Sequence, residues 1–270
     1  MNTLIFLKLG GSLITQKNRA HTVRRAVLAR LAAEIAAAHT RRPQLQLVLG
    51  HGSGSFGHTA AKKYGTRQGV QGETGWQGFV EVWRDARDLN NTVLAALRRV
   101  NLPVVAIPPS ACVICQDGRI LSWDISALQS ALNAGLIPLV YGDVAFDRTL
   151  GGTIVSTEDV FSHLAAELHP DQILLAGREE GVWEDYPRNT HCIPLITPDH
   201  LPEITAALQG SAAVDVTGGM KDKVRQMVAL VQQIPGLEVE IFSGMQPENV
   251  TRALLGEKLG TVIRSQPQEG

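Results

Sequence analysis

Two stretches decide how this chain reads: Leu4-Ile5-Phe6-Leu7-Lys8-Leu9-Gly10-Gly11-Ser12 and Leu45-Gln46-Leu47-Val48-Leu49-Gly50-His51-Gly52-Ser53-Gly54-Ser55-Phe56-Gly57-His58. Each is an apolar run of strand length that gives way to glycines. Loops at the carboxyl ends of neighbouring parallel strands open on one side of a sheet, where open α/β folds bind ligands. Glycines there let backbone N–H groups converge on an anion without side-chain obstruction. One such loop is often a tight turn; a pair, each after a strand, points to phosphoryl binding.

Working outward, short apolar runs recur at Val104–Ile107, Ile137–Tyr141, Gln172–Ala176, Glu238–Phe242 and Thr261–Ile263. Helical patterns lie between them at Val23–His39, Gly78–Val100, Ile125–Ala134, Val160–Leu168, Met220–Gln233 and Gln246–Leu255. This alternation specifies an α/β protein with a mainly parallel sheet. No linker or repeat interrupts it. The weakest seam, near Tyr141–Gly152, carries turn residues flanking a possible hairpin. The expectation is one domain over residues 1–270, with lobes 1–150 and 151–270.

The chain has 270 residues, 44% hydrophobic and 19% charged, enough for a sizeable core. Its 25 Lys plus Arg balance 26 Asp plus Glu, so no global field recruits nucleic acid or an anionic membrane. An anionic ligand must be held by local charge. The apolar start, Met1 to Leu9, is cut off by Lys8, Gly10 and Gly11 well short of a signal or membrane core, which suggests a cytoplasmic protein. Three cysteines, Cys112, Cys115 and Cys192, argue against a disulfide framework. Cys112 and Cys115 form a CxxC inside an apolar run and read as buried thiols.

Gly52, Gly54 and Gly57 also satisfy GxGxxG, the dinucleotide fingerprint. That motif needs a helix directly after the loop and then a strand ending near an acidic residue. The segment Lys62–Gly75 is polar and glycine-broken, with no strand pattern, so a dinucleotide-binding oxidoreductase is disfavoured. A Walker-type GxxxxGK loop is absent. Lysines must therefore come from elsewhere, and the candidates are Lys8, Lys17 and Lys223. Lys8 stands out because Phe6-Leu7-Lys8-Leu9 puts a charge at the end of an apolar strand, where a bound phosphate would serve as its partner.

Lys8-Leu9-Gly10-Gly11-Ser12 resembles the opening motif of the amino acid kinase superfamily, which includes acetylglutamate, aspartate, glutamate 5- and uridylate kinases. Leu13-Ile14-Thr15 with Lys17, His51 to His58, Trp123-Asp124-Ile125-Ser126, Val140-Tyr141-Gly142-Asp143-Val144 and Asp215-Val216-Thr217-Gly218-Gly219-Met220 with Lys223 are similar to the isopentenyl phosphate kinases within it. The matches run in order along nearly the whole chain. The resemblance implies an open αβα sandwich, a homodimer, and transfer of a phosphoryl group from ATP with Mg2+ to isopentenyl phosphate. Isopentenyl diphosphate, an isoprenoid precursor, would be the product. Joining two phosphoryl groups requires neutralised charge and alignment rather than a strong general base.

Residue by residue, the resemblance puts Lys8 and Lys17 on the transferring phosphoryl, with the Gly10 and Gly11 amides lining its path beside Ser12. Gly52, Ser53, Gly54, Ser55 and Gly57 would hold the acceptor phosphate, to which His58 would donate a hydrogen bond. Gly177, Gly181, Gly218, Gly219 and Lys223 fall on the nucleotide side. His51 reads as structural. Asp143 is either a turn aspartate or a group that orients Lys8 or contacts metal-bound water. Asp124 reads as a helix cap.

Two departures affect the nucleotide side. Relatives carry Ser-Gly-Asp where this chain has Ser156-Thr157-Glu158-Asp159, leaving Glu158 and Asp159 both open as the organising carboxylate. They usually carry aspartates where Arg178 and Glu180 stand. Trp76, Phe79 and Trp83 recur at helical spacing; with Val82, Phe79 and Trp83 either pack in the core or line an apolar pocket for the acceptor tail. The rival readings are a fosfomycin-type phosphonate kinase of the same fold and a catalytically silent nucleotide-binding module. Retention of Lys8, Lys17, His58 and Lys223 argues against the latter.

Overall fold

A computed structural model describes residues 3–16, 18–202, 204 and 219–265, with the side chain of His58 outside that set. The strands are β1 Leu4–Leu9, β2 Gln46–His51, β3 Val104–Ala106, β4 Val113–Gln116, β5 Arg119–Trp123, β6 Ile137–Tyr141, β7 Asp143–Asp147, β8 Gly151–Val155, β9 Gln172–Gly177, β10 Val182–Trp183, β11 Cys192–Ile193, β12 Leu195–Ile196, β13 Glu238–Ser243 and β14 Thr261–Arg264. The helices are α1 Gly11–Ile14, α2 Arg25–Arg41, α3 His58–Tyr64, α4 Gly72–Arg99, α5 Ser126–Asn133, α6 Thr157–Leu168, α7 Gly219–Gln233 and α8 Asn249–Leu254.

Among the described residues the main sheet has eight strands in the order β12-β14-β13-β9-β1-β2-β6-β3. Its pairs are parallel except β13–β14. β1 lies between β2 and β9, with Leu9 level with both His51 and Ala176. Both faces of this sheet are covered, which is why its strands read as unbroken apolar runs. Ile5, Leu7 and Leu9 pack on one side with α2, α4 and α8. Phe6 packs on the other with α6 and α7. The fold is therefore the three-layered αβα sandwich that the alternation of strands and helices specified. Alternation along β1 sends Lys8 to the same side as Phe6, toward α6.

A second sheet, β5-β4-β7-β8, is built from the hairpins β4–β5 and β7–β8. The second hairpin, β7–β8, fulfils the turn reading of Tyr141–Gly152. The hairpin around Cys115 went unread because its strands are short and follow a Pro-rich turn. Cys115 is buried as expected, but Cys112 is half-buried and donates its thiol to Pro108 O at 3.1 Å. Burial raises both thiols to about 11.

Lys62–Gly75 also differs from the sequence reading. The helix α3 does follow the second glycine loop, and α4 begins at Gly72 rather than Gly78. No strand forms between them among the described residues, so the dinucleotide pattern still fails. Gly78 is a packing glycine, since a Cβ there would lie 2.4 Å from the Tyr64 side chain. A side chain at this position would hold α3 and α4 apart.

Candidate active site

The two glycine loops interlock. A Cβ on Gly11 would stand 2.3 Å from Gly54 N, and one on Gly52 would stand 2.8 Å from Gly11 N. Gly54 adopts φ +53°, a left-handed conformation that favours glycine. Thr15 locks the pair: its Oγ1 donates to Gly11 O at 2.8 Å and accepts from Ser55 N at 3.0 Å. Thr15 was quoted within a motif but assigned no role, although a hydroxyl four residues after a loop glycine can close back on its carbonyl. Ser55 is buried and anchors the next segment, His21 N donating to Ser55 O at 3.2 Å. Gly57 packs over Ser53, whose Cβ would lie 3.2 Å from a Cβ at that position.

One expected role changes. The Gly10 N–H donates to Ala176 O at 2.8 Å, so it is occupied in tying β1 to β9. Gly11 and Ser12, at the start of α1, supply the orphan N–H groups of a helix beginning instead. Gly177 lies against Gly10, its Cα 3.5 Å from where a Gly10 Cβ would stand.

Across the strand ends, three charges from distant parts of the sequence converge. Lys8 Nζ pairs with Glu158 Oε1, and Lys223 Nζ approaches the same oxygen at 4.0 Å. Lys8 comes from the end of β1, Glu158 from the first turn of α6 and Lys223 from the first turns of α7. Burial lowers the Lys8 ammonium from its ordinary value, against the opposing pull of Glu158. Burial alone would raise the Glu158 carboxyl, but Lys8 and Lys223 outweigh it and hold the group at about 2. Two ammoniums on one carboxylate leave a net positive charge at the strand ends, suited to an anion.

The structure separates the two candidate carboxylates. Asp159 accepts from Ser156 N at 2.9 Å in a capping box, and from Gln226 Nε2 at 3.1 Å. It holds its own helix and α7, while Glu158 faces the lysines. The Ser-x-x-Asp pattern of a capping box was a readable signal for this division. α6 is seated on β2 by Thr157, whose Oγ1 donates to His51 O at 2.7 Å.

Asp143 is not the group that orients Lys8. Its carboxylate accepts from Ser110 N at 3.2 Å and Val144 N at 2.9 Å, and burial lifts it to about 6. Glu158 occupies the orienting position instead. His51 is structural as read: buried, stacked on Tyr141 at 5.3 Å and 3.2 Å from Asn90 Oδ1, with burial lowering it to about 4. Asp124 stands one residue before the N-cap of α5, Ile125, rather than capping it, and its carboxylate accepts from Ser126 N at 2.9 Å.

Phe79 and Val82 are buried with Ala60, Val70 and Val144, and Trp83 is half-buried beside them. This small cluster is separate from the two main cores and abuts α3, whose first residue is His58. Gly181 is tightly packed, with a Cβ there 2.4 Å from Cys192 Sγ. Gly219 opens α7 at φ +68°, with nothing among the described residues within 4 Å of where its Cβ would stand. Lys17, Gly218 and the His58 side chain lie outside the described residues.

Two glycine loops locked at the carboxyl ends of neighbouring parallel strands, with the buried Lys8 and the half-buried Lys223 braced on one carboxylate beside them, define a small-molecule kinase site. The profile of the amino acid kinase family matches residues 3–243. Isopentenyl phosphate kinase of Methanocaldococcus jannaschii is 35% identical over 269 residues, covering 96% of this chain and 98% of that protein. The enzyme of the same name from Haloferax volcanii is 34% identical over 271 residues, covering 98% and 100%. An X-ray structure of isopentenyl phosphate kinase superposes with a TM-score of 0.81 at 32% identity, covering 96% of this chain and 99% of that one. The chain belongs to the amino acid kinase family and, within it, to the isopentenyl phosphate kinases.

Proposed function

We infer that the chain transfers the γ-phosphoryl group of ATP to isopentenyl phosphate, giving isopentenyl diphosphate and ADP. The observation that carries the reading is the Lys8–Glu158–Lys223 cluster beside the interlocked loops, in a chain that matches isopentenyl phosphate kinases from end to end. An oxygen of the acceptor phosphate forms the new bond to the γ-phosphorus, while the bond to the β,γ-bridging oxygen breaks and its electrons leave with ADP. The acceptor oxygen is already anionic, so no proton need be removed, and catalysis rests on positioning and charge.

In this reading Lys8 and Lys17 stabilise the transferring group, Lys223 meets the ATP phosphates and Glu158 positions both Lys8 and Lys223. Gly52, Gly54, Ser55, Gly57 and His58 hold the acceptor phosphate, and the apolar cluster of Phe79, Val82 and Trp83 receives its tail. The β1–β2–β6 half serves the acceptor and the β9–β13 half the nucleotide. Among the described residues no group of three His, Cys, Asp or Glu could hold a metal ion. In this reading ATP enters as its magnesium complex, the ion carried by substrate phosphates. A cytoplasmic homodimer accompanies the reading; among the described residues no helix is long and apolar enough to cross a membrane.

The test is a product assay with ATP, magnesium and a panel of acceptors: isopentenyl phosphate, fosfomycin, and carboxylates such as glutamate. Isopentenyl phosphate should be turned over fastest, and chelation of magnesium should abolish turnover. Preference for the phosphonate or a carboxylate would overturn the acceptor, and turnover unaffected by chelator would overturn the mechanism.

A further inference from the structure

A cleft of about 310 Å³ lies at the site's edge, lined by Gln16, Asn18, Arg24 and Arg178. Among the described residues its lining is two arginines, a glutamine and an asparagine, with no acidic residue. Arg178 directly follows Gly177, the last residue of β9, and Gly177 abuts Gly10. The cleft is thus one step from the glycine loop that opens onto Lys8. It also spans two sides of β1: Arg178 follows β9, while Arg24 is bonded to Thr15 O, and Thr15 Oγ1 in turn accepts from Ser55 N of the loop after β2.

Both arginines are available to a ligand. Arg24 is held by its Nε, which donates to Thr15 O at 2.9 Å, and by its backbone N–H on Ile14 O at 2.8 Å. Its terminal nitrogens have no partner among the described residues. Arg178 makes no ion pair among them either, and neighbouring Glu179 is engaged by Trp183 Nε1 at 3.1 Å. By contrast, Arg30, Arg67, Arg252 and Arg264 each pair with a carboxylate. A planar guanidinium anchored by one nitrogen, with two left over, is suited to phosphate oxygens. The volume falls at the small end of ligand clefts, roughly 300–1,000 Å³. It suits a phosphate chain better than a whole nucleotide.

We propose that this cleft is an anion subsite for the polyphosphate chain of the donor nucleotide, with Arg24 and Arg178 as its cationic walls. The proposal rests on the ATP donor of the reading above and is independent of the acceptor. The same chemistry would also hold free inorganic phosphate or tripolyphosphate as an effector, and competition separates the two.

The experiment is calorimetric and uses the full chain without acceptor. Inorganic tripolyphosphate and ATP are each titrated into wild type, Arg178→Gln and Arg178→Lys. Arg178→Gln should weaken both ligands about tenfold, the loss of one charge-assisted contact, and Arg178→Lys should recover part of it. In wild type, tripolyphosphate should raise the apparent Kd of ATP, as ligands sharing a site must. Because Arg178 is exposed, folding is not at stake in either variant. Unchanged affinity for both ligands in Arg178→Gln overturns the proposal. Tripolyphosphate that binds without affecting ATP also overturns it, by making the cleft an effector site. A chain that fails to phosphorylate isopentenyl phosphate yet shows this dependence on Arg178 would sink the acceptor assignment and leave the subsite standing.

Discussion

The two halves of the site are made of different materials. On the β2 side, glycine backbones from two loops sit so close that a single added carbon would collide with main-chain atoms. On the α6 and α7 side, three long charged side chains meet at one carboxylate oxygen. The first half is rigid because backbone cannot move aside, and its function is shape. The second is held by charge, at the expense of desolvating Lys8 and Glu158. A shape-based half should fail when volume is added, and a charge-based half when charge is removed.

The largest effect should come from Gly54→Ala. Its Cβ would fall 2.1 Å from Thr15 Oγ1 and 2.6 Å from Gly11 O, in a backbone conformation that strains any side chain. Displacement of the reacting groups should lower kcat/KM by roughly 10² or more. Overpacking should also cost about 3 kcal/mol of stability, read from denaturant unfolding. Wild-type activity and stability in this variant would mean the loops do not touch as described. Lys8→Met tests the other half: kcat should fall by roughly 10², the scale of one electrostatic stabiliser. It should also unfold more easily, because Glu158 is left buried with only Lys223 for compensation.

A smaller change should follow from His58→Ala. KM for isopentenyl phosphate should rise about tenfold, the cost of one charge-assisted hydrogen bond, with KM for ATP little altered. A rise confined to ATP would move His58 to the other half. The smallest effect is on pH. In the folded chain the Glu158 carboxyl sits at about 2, below its ordinary 4.5, so the folded state binds fewer protons here than the unfolded state. Its stabilisation is complete above pH 4.5 and is lost as pH falls toward 2. Melting temperature against pH should decline over that window in wild type and less steeply in Glu158→Gln; superimposable acid limbs would remove the cluster from the stability of the fold.

Much of this was legible. β1 and β6 begin and end where their apolar runs do, and β2, β9 and β13 differ from theirs by one or two residues. Strands buried on both faces announce themselves as unbroken Leu, Ile and Val. α3 and the first turn and a half of α4 were missed because glycine signals a break locally, whereas only Gly65 ends an α-helix here and Gly72 and Gly75 lie within α4. Cys112 was expected to be buried from its apolar neighbours, yet the hairpin begins only after it, at Val113, and leaves it half-covered. The cleft at Arg24 and Arg178 had no sequence signal, since its walls lie far apart in the chain.

The amino-acid sequence by itself determined the sandwich, the two glycine loops after neighbouring strands and the anomaly of Lys8, because each follows from local pattern: strand period, backbone freedom, and a charge where none belongs. Only the tertiary structure decided which donors and charges act. Gly10 gives its N–H to Ala176 of a strand that returns after more than half the chain. Asp143 turns to Ser110, and of two adjacent acids Glu158 meets the lysines while Asp159 closes the cap. Consecutive residues of a helix point in different directions, so a one-residue choice between carboxylates is made by how α6 is seated against β2, through Thr157 and His51, and by α7 bringing Lys223 to the same place.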